Sequence, residues 1–125
     1  MNAALHAALR AHAAGLHPDQ ASTELLIRHG AILHRDDFAR FIRTATSITD
    51  GTTPMAWIAW DAVLSALHDR QLPLSGGERR ILTLTISIAQ GTPVSLRDTI
   101  PGLDNQNLEL LITAIRHTAG QPGRR

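Results

Sequence analysis

Residues 75–90, SGGERRILTLTISIAQ, constrain the fold of this chain more than any other stretch. From Ile81 to Ile88, apolar residues alternate with Thr and Ser, and this period of two favours a β-strand. Ser75 and Glu78, however, have the spacing of a capping box, which begins a helix. The run is also long for a strand. As a helix it is apolar nearly all round, which is typical of the buried centre of a bundle. We therefore predict a central apolar helix over about 76–90 and keep the strand as the alternative.

The rest of the chain predicts further helices joined by short connections. Pro, Gly and capping residues divide it into segments with helical spacing of apolar residues. These segments are 2–14, 18–29, 35–43, 60–70, a short helix at 96–100, and 105–119. Asp50-Gly51 is a turn signal, so a short β-hairpin near 47–58 is the one candidate for β-structure. The predicted fold is mainly α, a compact bundle of five or six helices around the 76–90 helix.

Length and composition limit the architecture and the chemistry. A chain of 125 residues suits one domain, which we place at 1–120, with 1–16 as a candidate peripheral helix and 121–125 as a disordered tail. Cys is absent, which excludes a disulfide framework, a thiol nucleophile and a thiolate metal site. Seven His are scattered without the spacing of a metal site on one helix. We expect no cofactor and no metal.

Charge and hydropathy give a further set of expectations about partners and location. The net charge of +1 provides no strong field for nucleic acid or for a membrane surface. The N-terminal stretch lacks the apolar region of a secretory signal, and no run of about 18 apolar residues could span a membrane. We therefore expect a cytoplasmic protein without a membrane partner.

The stretch LSGGERR is the most motif-like in the chain and resembles the signature of ABC-type ATPases. The resemblance covers about seven residues, and the P-loop Lys that should accompany it is missing, because the chain contains no Lys. A helix start with glycines can still bind a phosphate through its N–H groups. The candidate anion contacts are Ser75, Gly76, Gly77, Arg79 and Arg80. The simpler interpretation is a helix cap.

A second pattern raises the question of DNA binding. The helices predicted at 60–70 and 76–90 have the outline of a helix-turn-helix, although the second is too apolar for a typical recognition helix. A basic surface that could contact phosphates is formed in sequence by Arg28, Arg35, Arg40 and Arg43. Asp36 and Asp37 interrupt it, and a solvated face with local ion pairs is the simpler interpretation.

From about Leu25 to Gly120, the order of features resembles a group of small uncharacterised proteins from actinobacteria. The shared pattern is an H-G turn, L-x-RDDF, a Trp, L-P-x-SGGERR, PVSLRD and GLD-x-x-N. In this chain it falls at His29-Gly30, 33–38, Trp60, 72–80, 93–98 and 102–107. The resemblance implies a mainly helical fold. It carries over no functional residue, because the group has no established activity.

These observations favour a non-enzymatic helical protein that binds another protein or a second copy of itself. No nucleophile motif or split pair of carboxylates points to catalysis. The Ala-rich first helix and residues 44–56 are the candidate contact elements. The alternatives are a small DNA-associated regulator and a protein that binds a phosphate-containing ligand at Ser75.

Overall fold

The central helix of the fold is α4, Gly76–Gln90, and it confirms the helical interpretation of the alternating stretch. The computed structural model describes residues 2–121 of the chain. α4 begins at a capping box formed by Ser75 and Glu78. It ends at Gly91, whose φ of 78° lies in the left-handed region that glycine adopts without strain. Local signals at both ends therefore fix this helix.

The threonines that suggested a strand are accommodated inside the helix. The hydroxyl groups of Thr83 and Thr85 donate to the carbonyl oxygens of Arg79 and Ile81, each at 2.7 Å. These bonds satisfy polar side chains in an apolar segment, so Thr85 can be buried. The most deeply buried side chains of α4 are Ile81, Leu82 and Ile86, each with 0% exposure.

Two further long helices pack around α4. These are α2, His17–His29, and α6, Asn105–Thr118. α2 packs against both α4 and α6. The beginning of α2 lies beside the end of α6, where the His117 Nε2 and Gln20 Oε1 atoms are 3.3 Å apart. The two helices are therefore antiparallel. α6 begins at 105 as predicted, after the N-cap residue Asp104, whose carboxylate accepts the Asn107 N–H at 2.8 Å.

The predicted hairpin exists, but it begins earlier than the sequence suggested. Strands β1, Ile42–Thr46, and β2, Pro54–Ile58, pair antiparallel, so the hairpin spans 42–58 rather than 47–58. The helix expected at 35–43 is a 3-10 segment, Asp36–Phe41. The correction has a physical reason: Ile42, Thr44 and Thr46 are β-branched, and pairing with β2 extends them. The turn at Asp50-Gly51 is where it was predicted, with a φ of 69° at Gly51.

Three other helices complete the fold of residues 2–121. They are α1, Ala3–Ala13; α3, Trp60–His68; and α5, Leu96–Thr99, which continues into a 3-10 turn at Ile100–Gly102. The described chain thus has six α-helices and one hairpin, in agreement with the predicted mainly helical bundle. None of these helices is long and apolar enough to cross a membrane.

The core draws side chains from most of these elements. α1, which we considered as a peripheral helix, packs along β2 and buries Ala8, Leu9 and Ala13. The remaining large buried side chains include Phe38, Leu26 and Val63. Of the tail predicted at 121–125, only Gln121 lies within the described residues.

Candidate functional site

The helix start at Ser75 has a capping box of its own. The Ser75 hydroxyl accepts the Glu78 N–H at 3.1 Å, and the Glu78 carboxylate accepts the Ser75 N–H at 2.9 Å. Gly76 and Gly77 form the first turn behind this cap. A carboxylate therefore already occupies the positive end of the helix, and an incoming phosphate would have to compete with it.

The two arginines of this stretch support neighbouring backbone. Arg79 donates to the Leu67 carbonyl oxygen at 3.2 Å, which closes the end of α3. Arg80 lies over Gly102, where an added Cβ would overlap the Arg80 Nε atom, and its Nη1 atom also approaches Gly76. Arg79 thus links the end of α3 to α4, and the Arg80 side chain lies between α4 and the 3-10 turn at Ile100–Gly102. An anion contact at these residues stays a prediction from the sequence.

The candidate basic surface consists mostly of arginines with local partners. Arg35 forms a two-point ion pair with Asp37, at 2.8 Å for each bond. Arg40 lies 4.7 Å from the centre of the Phe41 ring and donates to a carbonyl oxygen at 3.4 Å. Arg43 donates to the Arg40 carbonyl oxygen. These contacts fit the solvated face with local ion pairs.

Arg28, the remaining member of that basic group, lies exposed in the last turn of α2.

Arg10 and Glu24 form an ion pair that joins α1 to α2, at 2.6 and 3.1 Å. This hydrogen bond from Arg10 lowers the pKa of Glu24. In the described part of the chain, no group of three His, Asp or Glu is placed to hold a metal ion.

β1 begins earlier than the sequence predicted, and it is open to solvent. Arg43, Thr44, Ala45 and Thr46 are all exposed, so both faces of the strand are uncovered. β2 is different, because Ala56 and Ile58 reach the core. The alternation of β-branched residues from Ile42 to Thr46 was the signal that could have identified β1.

The turn of the hairpin is well ordered by its own hydrogen bonds, although it is also exposed. The Asp50 carboxylate accepts the Thr53 hydroxyl and the N–H groups of Thr53 and Thr52. These bonds, that of the Thr53 hydroxyl first, hold the pKa of Asp50 well below its usual range. Ile48 beside it is completely exposed. The turn therefore presents an apolar side chain on a fixed backbone.

A second exposed apolar surface lies on α6. An apolar stripe with helical spacing runs along this helix and comprises Leu108, Leu111, Ile112, Ile115 and Ala119. Leu111 is buried in the core, whereas Ile112 is 39% and Ile115 54% exposed. The stripe therefore covers a wider arc of the helix than the core occupies, and its outer part faces solvent.

Comparison of the chain with protein-family models, with curated proteins and with solved structures gave no match. The likeness to small actinobacterial proteins therefore stays a prediction from sequence motifs.

Proposed function

We propose that this protein is a non-enzymatic helical module, acting in the cytoplasm, that associates with a second copy of itself through the outer edge of β1. The observation that supports this most directly is the exposure of Arg43 to Thr46 on both faces of a strand that has β2 on one side only. An uncovered strand edge is a template for pairing with another strand. Neither a proline nor a bulge protects β1.

The alternation of hydrogen bonds along the hairpin determines which backbone groups of β1 point toward its outer edge. The Ala59 N–H donates to Phe41, and the Ser47 N–H donates to Thr53, each at 2.8 Å. Because bonded and non-bonded pairs alternate, the odd-numbered residues of β1 bond to β2. The N–H and C=O groups of Thr44 and Thr46 therefore point outward.

The edge is complementary to itself. An antiparallel pairing with its two-fold axis at Thr44 sets Thr44 opposite Thr44 of the second copy. It also sets Arg43 opposite Ala45 of the second copy, so no like charges face each other. The turn with Asp50 then lies at the same end of the joined sheet as Arg40 of the second copy. Asp50 is the sole acid in residues 38–60, which makes the two ends complementary in charge.

A charge exchange at the two-fold axis tests this arrangement. Thr44→Asp and Thr44→Arg each place like charges opposite each other, and we expect both variants to sediment as monomers where the wild type dimerises. Mixed in equal amounts, they should form a heterodimer, because opposite charges now face each other. Ser65→Asp and Ser65→Arg, on the exposed face of α3, are the matched controls and should leave dimerisation unchanged.

Thr44→Pro gives an independent test of the backbone contribution. Its N–H points away from β2, so proline should abolish dimerisation while leaving the hairpin bonds in place. A wild-type protein that stays monomeric at the highest concentration accessible to sedimentation would overturn the proposal. Dimers that tolerate all three Thr44 variants would do the same and would direct attention to α6.

Two observations support this proposal against the alternatives. α4 is the buried centre of the fold, which does not suit a recognition helix that must present its side chains to a DNA groove. The phosphate alternative has fewer donors to offer, since the Ser75 hydroxyl and Arg79 are engaged within the chain.

A further inference from the structure

A cleft of about 140 Å³ lies between α1, α2 and the hairpin, away from the outer edge of β1. Its apolar lining includes Leu9, Ala13 and Ala56, which are buried. A cavity of roughly 150 Å³ holds a molecule the size of benzene. The cleft is therefore large enough for one small organic group.

Aromatic rings form part of its wall. Trp57 of β2 and Trp60 of α3 both line the cleft, and both are half-buried. The His12 ring stacks on Trp57, with centroids 5.0 Å apart and planes at 26°. Both tryptophans of a chain with few aromatic residues thus meet at one cleft. Half-buried rings leave part of their surface accessible to a ligand.

Polar groups on α2 complete the lining. Asp19 and Thr23 are half-buried there. Among the described residues, the Asp19 carboxylate has no ion-pair partner. Ser22 is not a free donor, because its hydroxyl donates to the Asp19 carbonyl oxygen at 3.1 Å. The Arg43 guanidinium, across the hairpin from Trp57, is bound to the Arg40 carbonyl oxygen. The cleft thus combines aromatic rings with a carboxylate that lacks a cation in residues 2–121.

We propose that this cleft binds a small trimethylammonium group. Such a cation is attracted to the electron-rich faces of indole rings and carries a diffuse charge that Asp19 can balance. Its methyl groups suit the apolar lining, and its size suits the volume. A hard metal ion would instead require several oxygen ligands, which this lining does not bring together.

Tryptophan fluorescence offers a direct measurement of this binding. The chain contains no Tyr, and both of its Trp residues line the cleft, so its intrinsic emission reports on this site. Titration with choline should change the emission in a saturable way. The neutral carbon analogue, 3,3-dimethylbutan-1-ol, has nearly the same shape and should bind about tenfold more weakly, because it lacks the charge.

Two variants separate the contributions of charge and ring. Asp19→Asn should weaken choline binding about tenfold while leaving the weak binding of the neutral analogue unchanged. Asp36→Asn removes the same charge from an exposed first turn elsewhere and should have no effect. Trp57→Leu keeps an apolar wall without a π face, and it should weaken choline more than the analogue, with Trp60 still reporting. Circular dichroism and sedimentation verify that each variant is folded.

The source of the group is distinguished by a second titration, with a short peptide carrying trimethyllysine. Binding of choline alone indicates a free small molecule, and binding of the peptide indicates a modified protein; either result supports the proposal. Equal affinities for choline and its neutral analogue would overturn it. So would an absence of saturable change with both choline and peptide, or equal effects of Asp19→Asn and Asp36→Asn. Dimerisation through Thr44 is measured separately and does not depend on these outcomes.

Discussion

β1 and the middle of α4 contain nearly the same pattern and adopt opposite structures. Each has two threonines spaced two residues apart between other residues, as Ile-Arg-Thr-Ala-Thr in β1 and Leu-Thr-Leu-Thr-Ile in α4. In α4 the hydroxyls of Thr83 and Thr85 bond back to the helix, and Leu84 between them is buried. In β1, Thr44 and Thr46 are exposed, and the strand is defined by its pairing with β2. The period-two alternation therefore does not determine the secondary structure by itself. The N-cap at Ser75 and the packing around each segment determine it.

Truncation of one side chain in each region should give the largest difference in stability. Leu82 in α4 has 0% exposure, so Leu82→Ala should lower the free energy of unfolding by about 2–5 kcal/mol through lost burial and a cavity. Thr44→Ala on the exposed strand should change it by no more than about 0.5 kcal/mol. Urea denaturation at low protein concentration measures both without a contribution from association. Equal costs would show that β1 is as strongly packed as α4.

The same contrast explains how far the sequence could predict the fold. α4 was predictable because Ser75, Glu78 and Gly91 mark its ends locally, and a buried helix tolerates the alternating pattern. The start of the hairpin was not predictable with equal accuracy, since Phe38, Phe41 and Ile42 have helical spacing. Only pairing with residues 54–58, more than ten positions away, extends Ile42.

Candidate sites were harder to predict than helices. Sequence showed that Arg79 and Arg80 follow a helix start, but it could not show that they bind Leu67 and cover Gly102. The cleft was missed for a similar reason. No pattern in the sequence indicated a site at Trp57, Trp60 and Asp19, because the three residues meet only through tertiary packing.

A second test concerns the joint between α4 and the 3-10 turn at Ile100–Gly102. A Cβ at Gly102 would overlap the outer part of the Arg80 side chain, which must move aside, so Gly102→Ala should lower the free energy of unfolding by up to about 1.5 kcal/mol. In an Arg80→Ala background the same change should cost much less, because the overlapping atoms are gone. A double-mutant cycle in urea gives the coupling between the two positions. If the stability costs of the two substitutions are additive, Arg80 and Gly102 are not in contact. The start of α4 would then depend on no distant loop, as is the case for the hairpin turn.

The cap of α4 should have a smaller effect. Ser75→Ala removes the acceptor of the Glu78 N–H and should cost about 1 kcal/mol. Ser95 is a matched control, because its hydroxyl also accepts an N–H at an N-cap, but it begins a helix of four residues whose side chains are not buried. Ser95→Ala should therefore cost less. If Ser75→Ala leaves stability unchanged and abolishes binding of a phosphate ligand, the interpretation of Ser75 as a cap is wrong.

The smallest expected effect is a local response of the hairpin to acid. Hydrogen bonds from Thr53 and Thr52 lower the pKa of the Asp50 carboxyl, so the folded turn favours the charged form. A lowered folded pKa contributes stability above the unfolded value, about 4, and this contribution is lost as pH falls through the folded pKa. Below about pH 4 the turn should therefore loosen, while the bonds of α4 remain.

Amide hydrogen exchange followed by NMR can separate the two regions. After correction for the intrinsic pH dependence, the Thr52 and Thr53 amides should lose protection on acidification, and those of Leu82 and Leu84 in α4 should not. In Asp50→Ala, protection at Thr52 and Thr53 should already be low at neutral pH and should lose its acid dependence. If acid instead weakens α4 and the turn together, the hairpin unfolds with the core as one unit. The hairpin would then not unfold independently of α4, although the outer edge of β1 could still pair with a second copy.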